Sequence, residues 1–200
     1  MRKFALYATL LFAGLSLLSI SARSQMQQNP APMAPATPAA PKPPRDKSHD
    51  VSPPAHVEYT FPDGKKISID YGSPRVKGRV IYGGLVPYGK EWRVGANEAT
   101  TFVTDTRLMV GGTIVPAGSY TLFALPNADA WKLIISNKTG EWGIPYPGSQ
   151  YDFARVDMSL STLPAPLEDF TIGLDGGDSG CTLRLDWDTT RASIAIVESR

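Results

Sequence analysis

The sequence predicts an all-β domain: a single antiparallel β-sandwich, jelly-roll-like or a partly closed barrel, with little helix. Short runs of alternating apolar and polar residues recur over residues 57–197. Glycine- and proline-rich turns separate these runs, and no window sustains the 3.6-residue period of an amphipathic helix. We therefore expect one β domain over residues 56–200, behind a leader and a tether.

Residues 1–24 have the pattern of a secretory signal peptide. Arg2 and Lys3 precede an apolar run over residues 4–20, and the small residues Ala22 and Ser24 follow. The alternative is an uncleaved membrane anchor, but a spanning helix needs about 20 apolar residues and this run only approaches that length. We expect cleavage, export to the periplasm or the cell exterior, and no stable membrane insertion afterwards.

Residues 25–55 have the composition of a disordered linker. They contain half of the eighteen prolines, many alanines and no aromatic residue. Such a segment buries too little apolar surface to offset its ordering entropy, so we expect it to be extended and mobile. Both histidines, His49 and His56, lie at its end, and without a cysteine nearby they predict solvated side chains rather than a metal site.

Charge and cysteine content argue against a nucleic-acid-binding protein and against a disulfide-stabilised one. Loss of the leader removes three basic residues and no acidic one, which lowers the formal net charge from +1 to −2. No basic excess is then left to neutralise phosphates, so nucleic acid is not an expected partner. Cys181 is the single cysteine and cannot form an internal disulfide; it alternates with Leu183 and Leu185, which predicts an inert thiol in the core.

The domain begins with a predicted hairpin. Apolar residues alternate over 57–61 and 67–71, and the Pro-Asp-Gly-Lys turn at 62–65 joins the two runs. A segment broken by glycines and prolines follows, with short strand candidates at 80–82 and 91–94.

From residue 100 onwards the strand pattern is clearer. The Gly-Gly pair after Val110 predicts a two-residue hairpin loop. The run GSYTLFAL is apolar on both faces, which favours a central position in the sheet. The strands expected in this part cover residues 101–104, 108–110, 113–115, 118–125 and 131–136.

The last three alternating runs of the C-terminal part predict an antiparallel meander. Alternating runs cover 156–160, 170–174, 181–187 and 194–196, and Asp188-Thr189-Thr190 is expected to reverse the chain before the last of them.

The wording of several motifs resembles a known family. GRVIYGGLVPYGKEWRVGANEATT, VGGTIVPAGSYTLFALP and WKLIISNKTGEWG occur in this order, within a similarity that runs from about Tyr71 through Val197. The chain resembles the DUF2911 family of exported bacterial proteins. The resemblance implies a secreted β-rich domain and no particular activity, so it transfers no catalytic residue.

The candidate site lies in the glycine-broken segment. Trp92, Arg93, Asn97 and Glu98 fall on both sides of Gly95, which permits a turn. As a pocket, Arg93 would fix a carboxylate or a sugar hydroxyl, Glu98 would accept a proton, and the indole would stack on a ring. As a brace, Arg93 would pair with Glu98 and Asn97 would bond the backbone.

A second aromatic loop, residues 141–152, adds Trp142 and Tyr146 as ligand-binding candidates beside Tyr151. Trp131 lies on the alternating face of a strand, which favours core packing for it.

Two weaker patterns favour structural interpretations. Arg75, Lys77 and Arg79 alternate, which could make an anion site but is more typical of a solvated or edge-protecting strand face. Asp175 and Asp178 resemble part of a calcium loop without its full ligand spacing, so an ordinary polar turn is expected. We predict no metal and no cofactor.

Two functions compete. The first is a non-catalytic binding module for a small polar ligand or an envelope glycan. The alternative is a hydrolase, carbohydrate-active or other, with Glu98 as general base, for which Glu91, Asp152 or Asp157 would have to supply a second carboxylate. A segment that only braces the fold is the third interpretation.

Overall fold

In the computed structural model, residues 51–177 and 179–199 are described. The predicted leader, nearly all of the predicted linker, His49 and Asp178 lie outside them. The part of the chain that the structure describes has no α-helix; its one helical element is a 3₁₀ turn, Ser149–Tyr151. The strands are β1 (Pro54–Thr60), β2 (Lys66–Gly72), β3 (Thr100–Thr104), β4 (Leu108–Val110), β5 (Thr113–Val115), β6 (Gly118–Pro126), β7 (Trp131–Ser136), β8 (Asp152–Gly176) and β9 (Gly180–Glu198).

The strands form one nine-stranded sheet in the order β1-β2-β3-β6-β7-β8-β9-β4-β5. Every pair of neighbours is antiparallel. The all-β antiparallel class predicted from the sequence is confirmed, and the sheet does not close into a complete barrel. The central position predicted for β6 is also confirmed, because β6 pairs with β3 on one side and β7 on the other.

The buried apolar side chains of the sheet form one main core. Strands from both ends of the sheet contribute to it: Ile67 and Phe102 from one half, Leu108 and Leu183 from the other. Trp131 and Cys181 are buried there as the alternation predicted. A second, smaller cluster of Ala99, Phe123 and Ile134 lies apart from the main core.

The C-terminal meander prediction was wrong, because its last two runs, 181–187 and 194–196, belong to one strand, β9. Residues 156–160 and 170–174 belong to one 25-residue strand, β8, in which the pairing register with β9 shifts on both sides of Leu167. Asp188 does not reverse the chain. It adopts a left-handed backbone with φ 51° opposite Leu167, and β9 continues past it, as a strand does at a bulge.

The two strand candidates at 80–82 and 91–94 were also wrong. Tyr82 makes an isolated bridge to Val86, and Trp92 makes one to Ala124. Glycines and prolines on both sides prevent either pairing from extending.

The segment that follows β2 runs along the second half of β8. The Val76 amide donates to the Glu168 carbonyl at 2.9 Å, and the Phe170 amide donates to the Pro74 carbonyl at 2.8 Å. Arg75, Lys77 and Arg79 therefore do not share a strand face, contrary to the alternation; Lys77 instead has a left-handed backbone with φ 47°.

Candidate functional site

The segment from Trp92 to Ala99, here called the site segment, is attached to the sheet by backbone hydrogen bonds. Trp92 and Ala124 exchange two such bonds, both 2.8 Å long. The Ala96 amide donates to the Gly72 carbonyl at 3.2 Å, and the Ala99 amide donates to the Glu141 carbonyl at 3.0 Å. These bonds hold the segment against β6, the end of β2 and the second aromatic loop.

The backbone of the site segment is strained. Val94 has φ 54° and Asn97 has φ 62°. Asn tolerates this region, but a left-handed conformation at a β-branched residue is an outlier that costs about 1–3 kcal/mol. Val94 is fully buried, and its carbonyl accepts a 2.6 Å hydrogen bond from the Thr100 hydroxyl. Packing therefore maintains the strain, and strain of this kind is typical of functional segments.

The site segment lies between two clefts. The first, which we call the acidic cleft, has a volume of about 310 Å³. It is lined by Pro54, Ala55, Asp70, Tyr71, Gly72, Asn97, Glu98, Ala99 and Thr101. The second, which we call the basic cleft, also has a volume of about 310 Å³. It is lined by Val51, Ser52, Pro74, Arg75, Lys77, Arg79, Leu85, Val86, Trp92, Arg93, Gly95, Ala96, Ile144 and Trp187.

The four candidates of the segment are thus divided between the clefts. Trp92 and Arg93 line the basic cleft, whereas Asn97 and Glu98 line the acidic one. The left-handed backbone of Val94 lies between the two pairs, and residue spacing alone does not reveal it.

The Trp92 indole is half-buried in an aromatic cluster. It stacks on Trp187 with ring centroids 5.9 Å apart and meets Phe170 edge-on at 5.0 Å. Its Nε1 donates to the Gly95 carbonyl at 3.2 Å. The indole therefore packs as part of the core and forms the floor of the basic cleft.

Arg93 is held by the second aromatic loop. Its Nη1 donates to the Trp142 carbonyl at 3.0 Å, and its guanidinium lies 5.6 Å from the centre of the Trp142 ring. Burial lowers the pKa of Arg93, and the negative charge of Glu98 opposes this shift. The two side chains therefore interact electrostatically, while each also reaches a cleft.

Asn97 and Glu98 have a carboxylate neighbour that the sequence did not reveal. Asp70 lines the same cleft as Glu98. Its Oδ1 lies 2.8 Å from the Nδ1 of His56, and both of these side chains are more than half exposed. Asn97 donates from Nδ2 to the Ser52 carbonyl at 2.9 Å. The only sequence signal for Asp70 was its outward position in the alternation of β2.

Trp142 and Tyr146 do not line either cleft. Trp142 is 48% exposed beside Arg93. Tyr146 packs edge-on against Phe123, and its hydroxyl bonds Asp152. Burial raises the pKa of Tyr146 to about 12, and the Asp152 carboxylate acts in the same direction.

The described residues contain no group of three or more His, Cys, Asp or Glu side chains placed to hold a metal ion. Asp175 instead forms an ion pair with Arg184 at 2.7 Å. No helix in the described ranges has the length and apolarity needed to span a membrane.

Residues 52–196 match the family model described as a protein of unknown function, DUF2911. The chain belongs to the DUF2911 family. The match covers both clefts of this DUF2911 domain apart from Val51. Comparison with curated proteins found no match, and comparison with solved structures found none either.

Proposed function

We propose that this DUF2911 domain is an exported binding module that holds a small polar ligand in the acidic cleft. The observation that carries the proposal is the chemistry of the lining. Asp70 and Glu98 contribute carboxylates, Asn97 an amide and Thr101 a hydroxyl, and none of the described residues that line this cleft is Lys or Arg. Ionised carboxylates only accept hydrogen bonds, so the complementary ligand supplies the donors.

Hydroxyl and ammonium groups are such donors. A cleft of about 310 Å³ is at the lower end of the range for small-molecule sites, which suits one sugar ring. An amino-sugar unit of an envelope glycan combines both donor types and lies in the compartment to which the predicted signal directs the protein. A ligand whose only charge is a carboxylate is disfavoured here because Asp70 and Glu98 would repel it.

The test is calorimetric titration of the exported chain with glucosamine and with N-acetylglucosamine. We expect glucosamine to bind more tightly, because acetylation removes the ammonium group. Asp70→Asn and Glu98→Gln should each weaken glucosamine binding by about tenfold, the effect of losing one charge-assisted hydrogen bond. Asp157→Asn is the matched control, since Asp157 is an exposed carboxylate on β8 outside the cleft.

Two outcomes contradict the proposal. One is that neither sugar binds; the other is that both cleft variants bind as well as the parent. If Glu98→Gln lowers the melting temperature and leaves binding unchanged, Glu98 braces the fold and the third interpretation is correct.

A hydrolase is the second candidate, and Asp70 is the observation that favours it. Glycoside hydrolases use two carboxyl groups, and the sequence offered no convincing partner for Glu98. Asp70 lines the same cleft as Glu98, and the His56 imidazole is bonded to it. Incubation with envelope oligosaccharides followed by chromatography tests this reaction. Turnover that Asp70→Asn and Glu98→Gln each reduce by about a hundredfold or more would establish it; intact oligosaccharides would exclude it for those substrates.

A further inference from the structure

The basic cleft lies on the other side of the site segment and has a different chemistry. Its floor is apolar: Trp92, Trp187 and Val86 line it, and the last two are buried in the core. Two of its walls are apolar side chains exposed to solvent, Leu85 at 46% and Ile144 at 66%. Large apolar side chains grouped around a hollow at the surface mark a binding site more often than scattered ones do.

The charges around this floor have one sign. Arg75, Lys77, Arg79 and Arg93 line the cleft, and none of the described lining residues is acidic. A low-dielectric wall beside a cluster of like charges focuses the potential in the cleft and attracts the opposite charge.

Two of these cations have no carboxylate partner among the described residues. The Arg79 guanidinium bonds backbone carbonyls, those of Val76 and Arg75. The Lys77 ammonium forms no ion pair with any residue in the described ranges. The charges of Lys77 and Arg79 are therefore not neutralised by an ion pair among the described residues.

The nearby acidic groups bond to two residues of the cleft lining. Asp169 pairs with Arg75 at 2.7 Å, and Glu168 accepts a 3.0 Å hydrogen bond from the Lys77 amide. Neither carboxylate lines the cleft.

We propose that the basic cleft binds a free amphipathic anion, with a short acyl or aromatic body on the Trp92 and Trp187 floor. Its carboxylate, phosphate or sulfonate head lies among Lys77, Arg79 and Arg93. This ligand class differs from that of the acidic cleft, so the inference stands independently of the proposed function. A fully polar anion leaves the apolar floor unused, and a neutral apolar molecule leaves the cations unpaired.

The experiment titrates the exported chain with four compounds that have an eight-carbon chain and differ in the head group. Octanoate and octyl phosphate carry a negative head, octylamine a positive one and octyl glucoside a neutral one, all kept below their micelle-forming concentrations. Tryptophan fluorescence reports occupancy because Trp92 and Trp187 line the cleft. We expect saturable one-to-one binding of the two anions and binding about tenfold weaker or more for the amine and the glucoside. Inorganic phosphate, which lacks the chain, should also bind about tenfold more weakly.

Variants distinguish the contribution of the charged head group from that of the apolar chain. Lys77→Gln and Arg79→Gln should each weaken octanoate binding by about fivefold or more, and Leu85→Ser by about threefold. The Lys77 and Leu85 variants should keep the melting temperature of the parent. Lys132→Gln and Ile114→Ser are matched controls, since one is an exposed cation and the other an exposed apolar residue outside the cleft.

Several results overturn the proposal. Equal binding of all four eight-carbon compounds would show a merely apolar surface, and equal binding of inorganic phosphate and octyl phosphate would show merely surface charge. Unchanged octanoate binding in both the Lys77 and Arg79 variants would place the ligand elsewhere. Co-sedimentation with phosphatidylglycerol vesicles, without binding of free octanoate, would show a membrane-binding surface instead.

Discussion

Trp92 and Ala124 exchange both of their backbone hydrogen bonds, each 2.8 Å long. Ala124 lies in β6, which pairs with β3 on one side and β7 on the other. The bridge therefore attaches the start of the site segment to a strand near the middle of the sheet. Beyond Trp92 the chain passes through the strained Val94 and separates two clefts of opposite charge. Mutations at Trp92 should therefore act mainly on stability, and mutations in the lining of the two clefts mainly on binding.

Replacement of Trp92 with alanine should be far more destabilising than replacement of Trp142. The first ring packs against both Trp187 and Phe170, and its removal opens a space that the core fills poorly, at a cost of about 3–5 kcal/mol. The second ring is 48% exposed and contacts Arg93, an interaction worth about 0.5–1 kcal/mol. Urea unfolding of the two variants measures both free energies. Equal losses would contradict the assignment of Trp92 to the core.

Gly72→Ala should displace the site segment. A Cβ at residue 72 would lie 2.3 Å from the Ala96 carbonyl oxygen, a backbone atom that cannot move independently of the segment. We expect a loss of about 1–3 kcal/mol in unfolding free energy, together with weaker ligand binding in the acidic cleft. Gly177→Ala is the control, because its Cβ would meet the Gly180 carbonyl at an ordinary 3.7 Å. A Gly72→Ala variant as stable as this control would show that residue 72 and the Ala96 carbonyl are not in close contact.

Glu198 should account for part of the loss of stability in acid. The Lys65 ammonium at 2.9 Å and the Thr106 hydroxyl at 2.7 Å lower the pKa of this carboxyl below its usual 4.5. A carboxyl whose pKa is lower in the folded state stabilises the fold above about pH 4.5, and that contribution disappears as the pH falls through the folded-state pKa. Glu198→Gln should therefore reduce the slope of unfolding free energy against pH between about pH 5 and pH 2.

Urea unfolding at a series of pH values measures that slope. Thr106→Val provides a graded comparison, because it removes one of the two donors and should reduce the slope less than Glu198→Gln does. An unchanged slope in the Glu198 variant would show that the interaction does not contribute.

Cys181 should be unreactive in the folded protein. Burial raises the pKa of its thiol to about 11, and the Asp175 carboxylate acts in the same direction. At pH 8 the thiolate fraction is then about a hundredfold smaller than for an unfolded chain, and burial blocks access as well. Reaction with 5,5′-dithiobis(2-nitrobenzoate) should be slower by about a hundredfold or more in the native protein than in urea. Rapid native labelling would contradict the burial.

Most strands could be predicted because their signal is local. The alternation in Lys66–Gly72 and the Gly-Gly pair between β4 and β5 each specify a strand or a turn within a few residues. The prediction failed at Asp188, where a turn-forming residue sits in a bulge of a long strand, because the partner strand decides whether a bulge or a reversal forms. It failed at Tyr82 for the opposite reason, since a run that meets only Val86, in an isolated bridge, makes no ladder.

The site was predicted in part. Spacing identified the residues around Gly95 but not their division between two clefts, and it did not identify Asp70 as the neighbour of Glu98. The sequence by itself determined an antiparallel β domain with a polar, glycine-broken segment, because side-chain alternation and turn chemistry act over a few residues. Only the tertiary structure decided which carboxylates share a cleft and which cations surround the apolar one. Those pairings depend on the contact of Gly72 with Ala96 and of Phe170 with Pro74, which join parts of the chain far apart in sequence.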